Sequence, residues 1–315
     1  MGRIGEFYLI DRLTSFLNID DPSVVVGFGD DCACVKIDEK LILFSGDVQI
    51  EGSHFLKGKI KPEDLGWKLV SVNVSDIVSC GGLPRWSLIS ISFPVDTEVS
   101  FLEGIYKGIR KALGFYSFSL IGGNTAKSKE IILDFFIVGE TKRFVSRGGG
   151  KSGDILFLSG YTGLSRAGLE LLLMDKTVYE KWELEIIRNH TNPRARIDFQ
   201  PLIEKYANAC IDISDGLAGD AGHIEKRSKV KIVLDKEKLP VHPLLKKYCE
   251  KYKKDPLEYV LFGGEDYQLL FSVPKKYKNY VKKGFQIGFL EEGEGLFLKE
   301  KGSLIRLPEK GFEHI

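Results

Sequence analysis

Acidic residues beside glycines recur through this sequence, and they constrain the fold more than any other feature. Aspartates close GFGDD (27–31), SGD (45–47) and NVSD (73–76), and further acids lie in IDISDG (211–216) and FGGEDY (262–267). One such acid alone is typical of a turn or a helix N-cap. Their recurrence instead predicts a sheet that delivers several strand ends to one rim. Because carboxylates gathered there repel one another, the pattern also predicts bound cations.

The type of ligand indicates which cation to expect. Carboxylate oxygens without paired Cys or His residues select magnesium, manganese or calcium over zinc. The sequence has no H-x-x-x-H pair, no C-x-x-C pair and no calcium loop of alternating acids. Several magnesium ions that join carboxylates to phosphate groups are the simplest interpretation.

The segments between these motifs predict an α/β (α+β) fold. A chain of 315 residues suits two domains of roughly 150 residues each. Apolar periodicity predicts helices at 62–80 and 100–113 and a Leu-rich helix through 169–174. Glycine-rich turns near 145–150 predict domains 1–145 and 146–315, the first with a mixed or antiparallel sheet. Strands are expected at 24–29, 33–47, 85–93, 118–123, 130–141, 155–160, 208–216 (strand, then turn) and 267–273.

Net charge and composition limit the partners and the cellular location that the sequence predicts. The net charge of +1 gives no global field that would recruit nucleic acid or an anionic membrane. The start MGRIGEFYLIDRL carries charges where a signal peptide needs an apolar core, and no apolar run is long enough to span a membrane. The odd number of cysteines favours reduced thiols, so a cytoplasmic protein is expected.

The stretch RGGGKSGD (147–154) contains Gly-Lys-Ser, as a P-loop does, but its context differs. A P-loop needs a glycine where Val145 stands and a helix after Ser152, whereas an apolar, strand-like run follows here. Glycines let backbone N–H groups approach phosphate closely, so we expect Arg147 and Lys151 to meet phosphate charge. The alternative is a boundary turn with Arg147 on the surface.

No pattern predicts a covalent intermediate. The sequence has neither a G-x-S-x-G elbow nor a cysteine beside a plausible base. Phosphoryl transfer run by positioned metal ions needs no protein nucleophile, which favours direct transfer.

Taken in order, the motifs resemble those of the thiamine-monophosphate kinase family. The resemblance runs from end to end, and S-x-D followed by E-G-x-H-F, with a terminal G-F-E-H, is more specific than the outline shared by the wider PurM-like superfamily. The matching stretches are GEFYLI (5–10), GFGDDCA (27–33), SGD (45–47), EGSHF (51–55), VNVSDIVSCGGLP (72–84), LIGGNT (120–125), SRGGGKSGD (146–154), IDISDGLAGDAGHI (211–224), FGGEDYQLLF (262–271) and KGFEHI (310–315).

This resemblance implies a two-domain PurM-like fold and a particular reaction. The N-terminal domains would join two chains into a homodimer through their sheets, and magnesium would bind ATP in a cleft involving both domains. The reaction would move the γ-phosphoryl group of ATP directly, in line, onto the phosphate of thiamine monophosphate. The products would be thiamine diphosphate and ADP.

The resemblance also assigns roles to individual residues. Catalytic roles fall to Asp47, Asp215 and Arg147. The cationic thiazolium ring of the substrate suits Glu265, and its flat rings suit stacking on Phe312; for His54, packing at a strand end is the alternative. The implied ligands are Asp30, Ser45, Gly46, Asp47, Asp76, Asn124, Asp212 and Asp215 for magnesium, Tyr106, Gly123, Arg147 and Ser214 for ATP, and His54, Glu265 and Phe312 for thiamine monophosphate.

Two positions depart from the family pattern: Gly149 stands one place beyond the usual Ser-Gly, and LIGGNT has Asn124 where the family has aspartate. An amide oxygen can still ligate magnesium, but it lacks the negative charge of a carboxylate.

Two alternative functions stay open: another PurM-like enzyme that uses ATP to activate a carbonyl oxygen or selenide, and a catalytically silent nucleotide-binding homologue. Cys32, the first cysteine, lies inside an acidic motif, which argues against selenide chemistry, and the retained acids argue against a silent protein.

Overall fold

Two mixed β-sheets organise the chain in the computed structural model, which describes residues 6–174 and 176–308. The first sheet has six strands in the order β1-β2-β3-β6-β4-β5. Only the β4–β5 pair is parallel, because α3 connects these two strands as a crossover. The strands are β1 (Val24–Val26), β2 (Ala33–Ile37), β3 (Lys40–Ile50), β4 (Leu83–Phe93), β5 (Ser119–Lys127) and β6 (Ile132–Thr141).

The second sheet has seven strands in the order β13-β12-β9-β11-β7-β10-β8. Its β12–β9 pair is parallel and its other pairs are antiparallel. The chain passes from the first sheet to the second between Thr141 and Ile155, across the glycine-rich turns. The strands are β7 (Ile155–Leu158), β8 (Ala209–Asp212), β9 (Lys231–Asp235), β10 (Leu269–Val273), β11 (Phe285–Glu291), β12 (Leu296–Glu300) and β13 (Ser303–Arg306).

The described part of the chain also contains α-helices that cover both sheets. Among these residues, no helix is both long and apolar enough to cross a membrane. The mixed α/β fold class predicted from the sequence is confirmed. The helices are α1 (Glu6–Thr14), α2 (Pro62–Ser79), α3 (Val99–Tyr116), α4 (Leu164–Leu173), α5 (Lys181–Thr191), α6 (Gln200–Tyr206), α7 (Leu217–Ser228), α8 (Pro243–Tyr252) and α9 (Pro256–Phe262).

Helix α2 is the central element of the molecule. Pro62 occupies its first turn together with two acids, an arrangement that favours a helix N-terminus. Nearly all of its later residues are buried, as expected of a helix enclosed on every side. It approaches α3 so closely that a Cβ atom on Gly66 would lie 2.0 Å from the carbonyl oxygen of Ile105. Glycine is therefore required at this crossing.

Two hydrophobic cores lie on opposite faces of the second sheet. One core combines α2, α3 and the first sheet with residues of the second sheet such as Phe157 and Phe271. The other packs α4, α5, α7, α8 and α9 against side chains such as Leu158 and Leu270. The second sheet is thus buried on both faces, and α2 is held between the two halves of the chain. This places α2 beside a cleft lined by both halves.

Candidate active site

A cleft of about 1300 Å³ is lined by residues from both halves of the chain. It brings together most of the side chains that the sequence singled out. Lys151 is exposed outside this cleft, and Phe312 lies outside the described residues. The predicted site residues that line it are Asp30, Ser45, Gly46, Asp47, His54, Asp76, Arg147, Asp212, Ser214, Asp215 and Glu265.

Strand β3 and helix α2 supply two of the carboxylates. The Ser45 hydroxyl donates a hydrogen bond to Asp76 Oδ2 at 2.6 Å, and the backbone N–H of Asp47 donates to Asn73 Oδ1 at 2.9 Å. The prediction that these acids end strands is wrong for both, because Asp47 lies inside β3 and Asp76 lies in α2. Packing of the helix on the strand, rather than convergence of strand ends, brings them together.

The turn between β1 and β2 contacts the glycine-rich turn that enters the second half. Asp30 Oδ2 accepts a hydrogen bond from the Ser146 hydroxyl at 2.6 Å, and both its oxygens lie 3.3 Å from the backbone nitrogen of Arg147. The guanidinium of Arg147 pairs with Asp31, whose other oxygen accepts from the Ser79 hydroxyl at 2.5 Å. Asp31 is a carboxylate to which the sequence analysis gave no role.

The last carboxylates come from the turn between β8 and α7. Asp212 is the final residue of β8, and Ser214 and Asp215 precede the helix. Gly216 follows with a φ of 114°, in the left-handed region that favours glycine. Asp212 Oδ2 is buried and accepts no hydrogen bond within the described part of the chain. A buried carboxylate oxygen of this kind is costly unless a ligand satisfies it.

The electrostatics of this group favour cations. Burial, followed by the charge of Asp47, raises the pKa of Asp76 well above its ordinary value. Burial, followed by the charge of Asp31, does the same for the pKa of Asp212 and also raises the pKa of Asp30. Mutual repulsion of this kind is relieved by positive charge. Because the donors are carboxylate and hydroxyl oxygens, the group suits a hard cation such as magnesium.

A second group of side chains lies at another part of the same cleft. Glu265 Oε1 is 2.7 Å from Lys68 Nζ, and its Oε2 is 3.3 Å from His190 Nδ1. His54 also lines the cleft, and its Nδ1 accepts a hydrogen bond from the backbone of Ile50 at 3.1 Å. The sequence analysis missed Lys68 and His190. A lysine on the apolar face of a predicted helix is the signal that could have found Lys68.

Three predicted site residues lie away from the cleft. Gly123 and Asn124 are on β5, and strand pairing links Asp47 to Phe135, Ile89 and then Gly123 across the sheet. Three strand spacings separate the ends of this row by roughly 14 Å. Tyr106 is on α3 and lines a separate groove of about 360 Å³. One chain alone therefore does not bring these residues to the carboxylates.

Comparison with known proteins gives matches over the whole chain. A family profile described as AIR synthase related protein, N-terminal domain, matches residues 29–141. The thiamine-monophosphate kinase of Aquifex aeolicus is 51% identical over 314 residues, which cover 100% of this chain and 99% of that protein. The thiamine-monophosphate kinase of Escherichia coli K12 is 33% identical, with 98% of each chain covered.

Solved structures also match this chain over nearly its whole length. The structure of AaThiL complexed with AMPPCP and TMP is 49% identical with a TM-score of 0.92, and the match covers 100% of this chain and 99% of that one. The hydrogenase maturation protein HypE in complex with ATP is 15% identical with a TM-score of 0.71, and the match covers 95% of this chain and 94% of that one. At this lower identity the likeness shows a shared fold alone.

Proposed function

This chain belongs to the thiamine-monophosphate kinase family and is a kinase, and we propose that it moves the γ-phosphoryl group of ATP directly to thiamine monophosphate with magnesium. The products are thiamine diphosphate and ADP. The observation that carries this proposal is the convergence of Asp30, Asp47, Asp76, Asp212 and Asp215 on one cleft. A relative with an ATP analogue and TMP bound supports both substrates.

The carboxylate group is the proposed magnesium site. Its buried Asp212 oxygen, which accepts no hydrogen bond from the described residues, and its raised pKa values are features expected of a site that binds cations. Magnesium bound here would neutralise the two polyanionic substrates so that their phosphates can meet in line. The proposed ligands are Asp30, Ser45, Gly46, Asp47, Asp76, Asp212 and Asp215.

Arg147 and Ser214 are the proposed phosphate contacts of the second half. Arg147 is held by Asp31 through one end of its guanidinium, while its Nε is buried and makes no hydrogen bond to the described residues. This N–H is 3.7 Å from Asp30 Oδ1, beyond hydrogen-bond distance, and can donate to a phosphate oxygen. The pairing with Asp31 fixes the orientation of the guanidinium before ATP binds.

The face of the first sheet turned away from α2 leads us to propose a homodimer. Trp86, Leu88 and Phe136 are 43%, 42% and 39% exposed on this sheet, and Ile121 on the edge strand β5 is 64% exposed. A large exposed apolar patch beside an unpaired strand edge is typical of an interface. In this dimer Tyr106, Gly123 and Asn124 of one chain would complete the cleft of its partner. Light scattering that shows a monomer at micromolar concentration would contradict the dimer.

The proposed reaction is tested by incubating the protein with ATP, magnesium and thiamine monophosphate. We expect equal amounts of thiamine diphosphate and ADP, and much slower ATP hydrolysis without the acceptor. Thiamine, which has no phosphate to accept the group, is the matched control and should give no product. Formation of AMP in place of ADP would indicate pyrophosphoryl transfer and refute the mechanism.

A further inference from the structure

A lysine is completely buried inside the central helix of this protein. Lys68 on α2 has a relative exposure of 0%, and its Nζ lies 2.7 Å from Glu265 Oε1. Lysines are almost never fully buried unless they are paired, because removal of an ammonium group from water is costly. Lys68 belongs to the first half of the chain and Glu265 to the second. The ion pair therefore crosses the boundary between the halves, next to the cleft.

Several contacts hold Glu265 in one conformation. Its φ of 59° lies in the left-handed region, which is uncommon for a residue other than glycine. Its backbone N–H donates to the carbonyl oxygen of Ser214 at 2.7 Å, and Oε2 lies 3.3 Å from His190 Nδ1. The side chain nevertheless remains 30% exposed and lines the cleft. A strained backbone held at a ligand cleft is typical of a functional position.

Lys68 supplies the positive charge of this group. Burial acts to raise the pKa of the Glu265 carboxyl, but the charge of Lys68, the largest opposing cause, helps to hold the pKa below its ordinary value. Burial, followed by the charge of Lys68, lowers the pKa of His190 to about 3, so this histidine is neutral near pH 7. The ammonium of Lys68 is then the cation that balances Glu265.

We infer that Lys68 is a positioning residue for thiamine monophosphate: its ammonium group holds the Glu265 carboxylate toward the cationic thiazolium ring. This inference rests on the proposed function. Asp76 of the magnesium group follows Lys68 by eight residues on the same helix, about 12 Å along its axis. Helix α2 thereby fixes the distance between the carboxylate for the ring and the carboxylates for the phosphates.

Loss of Lys68 should change the KM for thiamine monophosphate but not kcat. The thiazolium ring is remote from the reacting phosphates, so its contact with Glu265 is the same in the ground state and the transition state. Loss of such a contact raises KM and leaves kcat unchanged. We therefore expect Lys68→Met to raise the KM for thiamine monophosphate about tenfold or more. The KM for ATP and kcat should change by less than about twofold.

Trp67→Phe is the matched structural control. The indole nitrogen of Trp67 donates to the carbonyl oxygen of Pro193 at 2.6 Å, so this neighbour of Lys68 also links α2 to the second half. The variant removes that link without touching Glu265. It should lower the melting temperature while the KM for thiamine monophosphate stays at the wild-type value. An equal rise of this KM in Trp67→Phe would show that Lys68 has a merely structural role.

A double-mutant cycle gives the decisive test. If Lys68 acts through Glu265, adding Lys68→Met to Glu265→Gln should cause no further rise in the KM for thiamine monophosphate. The double variant has neither charge, so it leaves no buried charge unpaired. Its KM for thiamine monophosphate can be compared with that of whichever single variant folds. Multiplied losses, or equal losses for ATP and thiamine monophosphate, would overturn the inference. Wild-type protein that makes no thiamine diphosphate would instead refute the proposed function.

Discussion

The two ends of the cleft handle charge in opposite ways. At the carboxylate end, burial and mutual repulsion raise the pKa values of Asp76 and Asp212. At the other end, Lys68 pairs with Glu265, whose pKa lies below its ordinary value. In the proposed reaction, cations and phosphates would complete the first end, whereas the second end is balanced by the protein itself. This division suits a substrate with an anionic phosphate and a cationic ring.

The largest effect is expected from removing one charge at the carboxylate end. Asp47→Asn or Asp215→Asn should lower turnover by roughly 10²-fold or more, the scale for losing an electrostatic element of the transition state. The metal-free melting temperature should stay equal or rise, because repulsion between the carboxylates decreases. Steady-state kinetics at saturating magnesium and calorimetry without metal measure the two effects.

Asp20→Asn is the matched control for these variants, because Asp20 is exposed and does not line the cleft. Its turnover should equal that of the wild type. Near-normal turnover of Asp47→Asn and Asp215→Asn at saturating magnesium would leave Asp47 as a strand residue and Asp215 as a turn residue with no catalytic role. The difference between the two ends of the cleft would then have no catalytic meaning.

Much of the fold could be predicted from the sequence, because apolar runs that end in glycine or aspartate identify strands. The helix expected at 62–80 is α2, and the strand expected at 130–141 contains β6. The prediction omitted β9 and β11 to β13, as well as α1 and α5 to α9. Helix α5 shows the reason: its sequence KWELEIIRNHT is mostly polar, and its stability depends on packing against α4 and α8.

The carboxylate end of the cleft was more predictable than the end that holds Lys68, His190 and Glu265. Acids beside glycines leave a visible pattern, and the helix predicted at 62–80 contains Asp76, but local spacing could not show that β3 continues past Asp47 or that α2 packs on it. Lys68 and His190 are single residues in α2 and α5, far apart in sequence. Tertiary packing alone brings them to Glu265. Nothing in their local sequence specifies that partner.

A second prediction tests the neutral histidine at the balanced end. Folded His190 has a pKa of about 3, whereas 6.5 is its ordinary value. Between these pH values the unfolded chain binds the proton and the folded chain does not, so stability falls as the pH falls. At pH 5 this loss is about 2 kcal/mol relative to pH 7.5. His190→Gln should remove this part of the pH dependence.

Denaturant unfolding of both proteins at pH 7.5 and pH 5 measures this difference. Asp266, whose pKa burial raises to about 7, titrates in both proteins and cancels in the comparison. Unfolding free energies that fall in parallel would show that His190 takes up its proton in the folded state. The end of the cleft with Lys68 and Glu265 would then carry a second, titrating positive charge, and Lys68 alone would not balance Glu265.

The smallest effect is expected at Asn124, where the family pattern has an aspartate. Asn124 lies on the exposed edge strand β5, away from the carboxylates of its own chain, and in the proposed dimer it would reach those of the partner chain. Asn124→Asp should lower the magnesium concentration for half-maximal activity by about two- to fivefold, because a carboxylate binds magnesium more strongly than an amide oxygen. Asn124→Ala should raise it, and neither change should abolish turnover. If the magnesium titrations of all three proteins superimpose, Asn124 is only a strand residue and its assignment as a magnesium ligand is wrong.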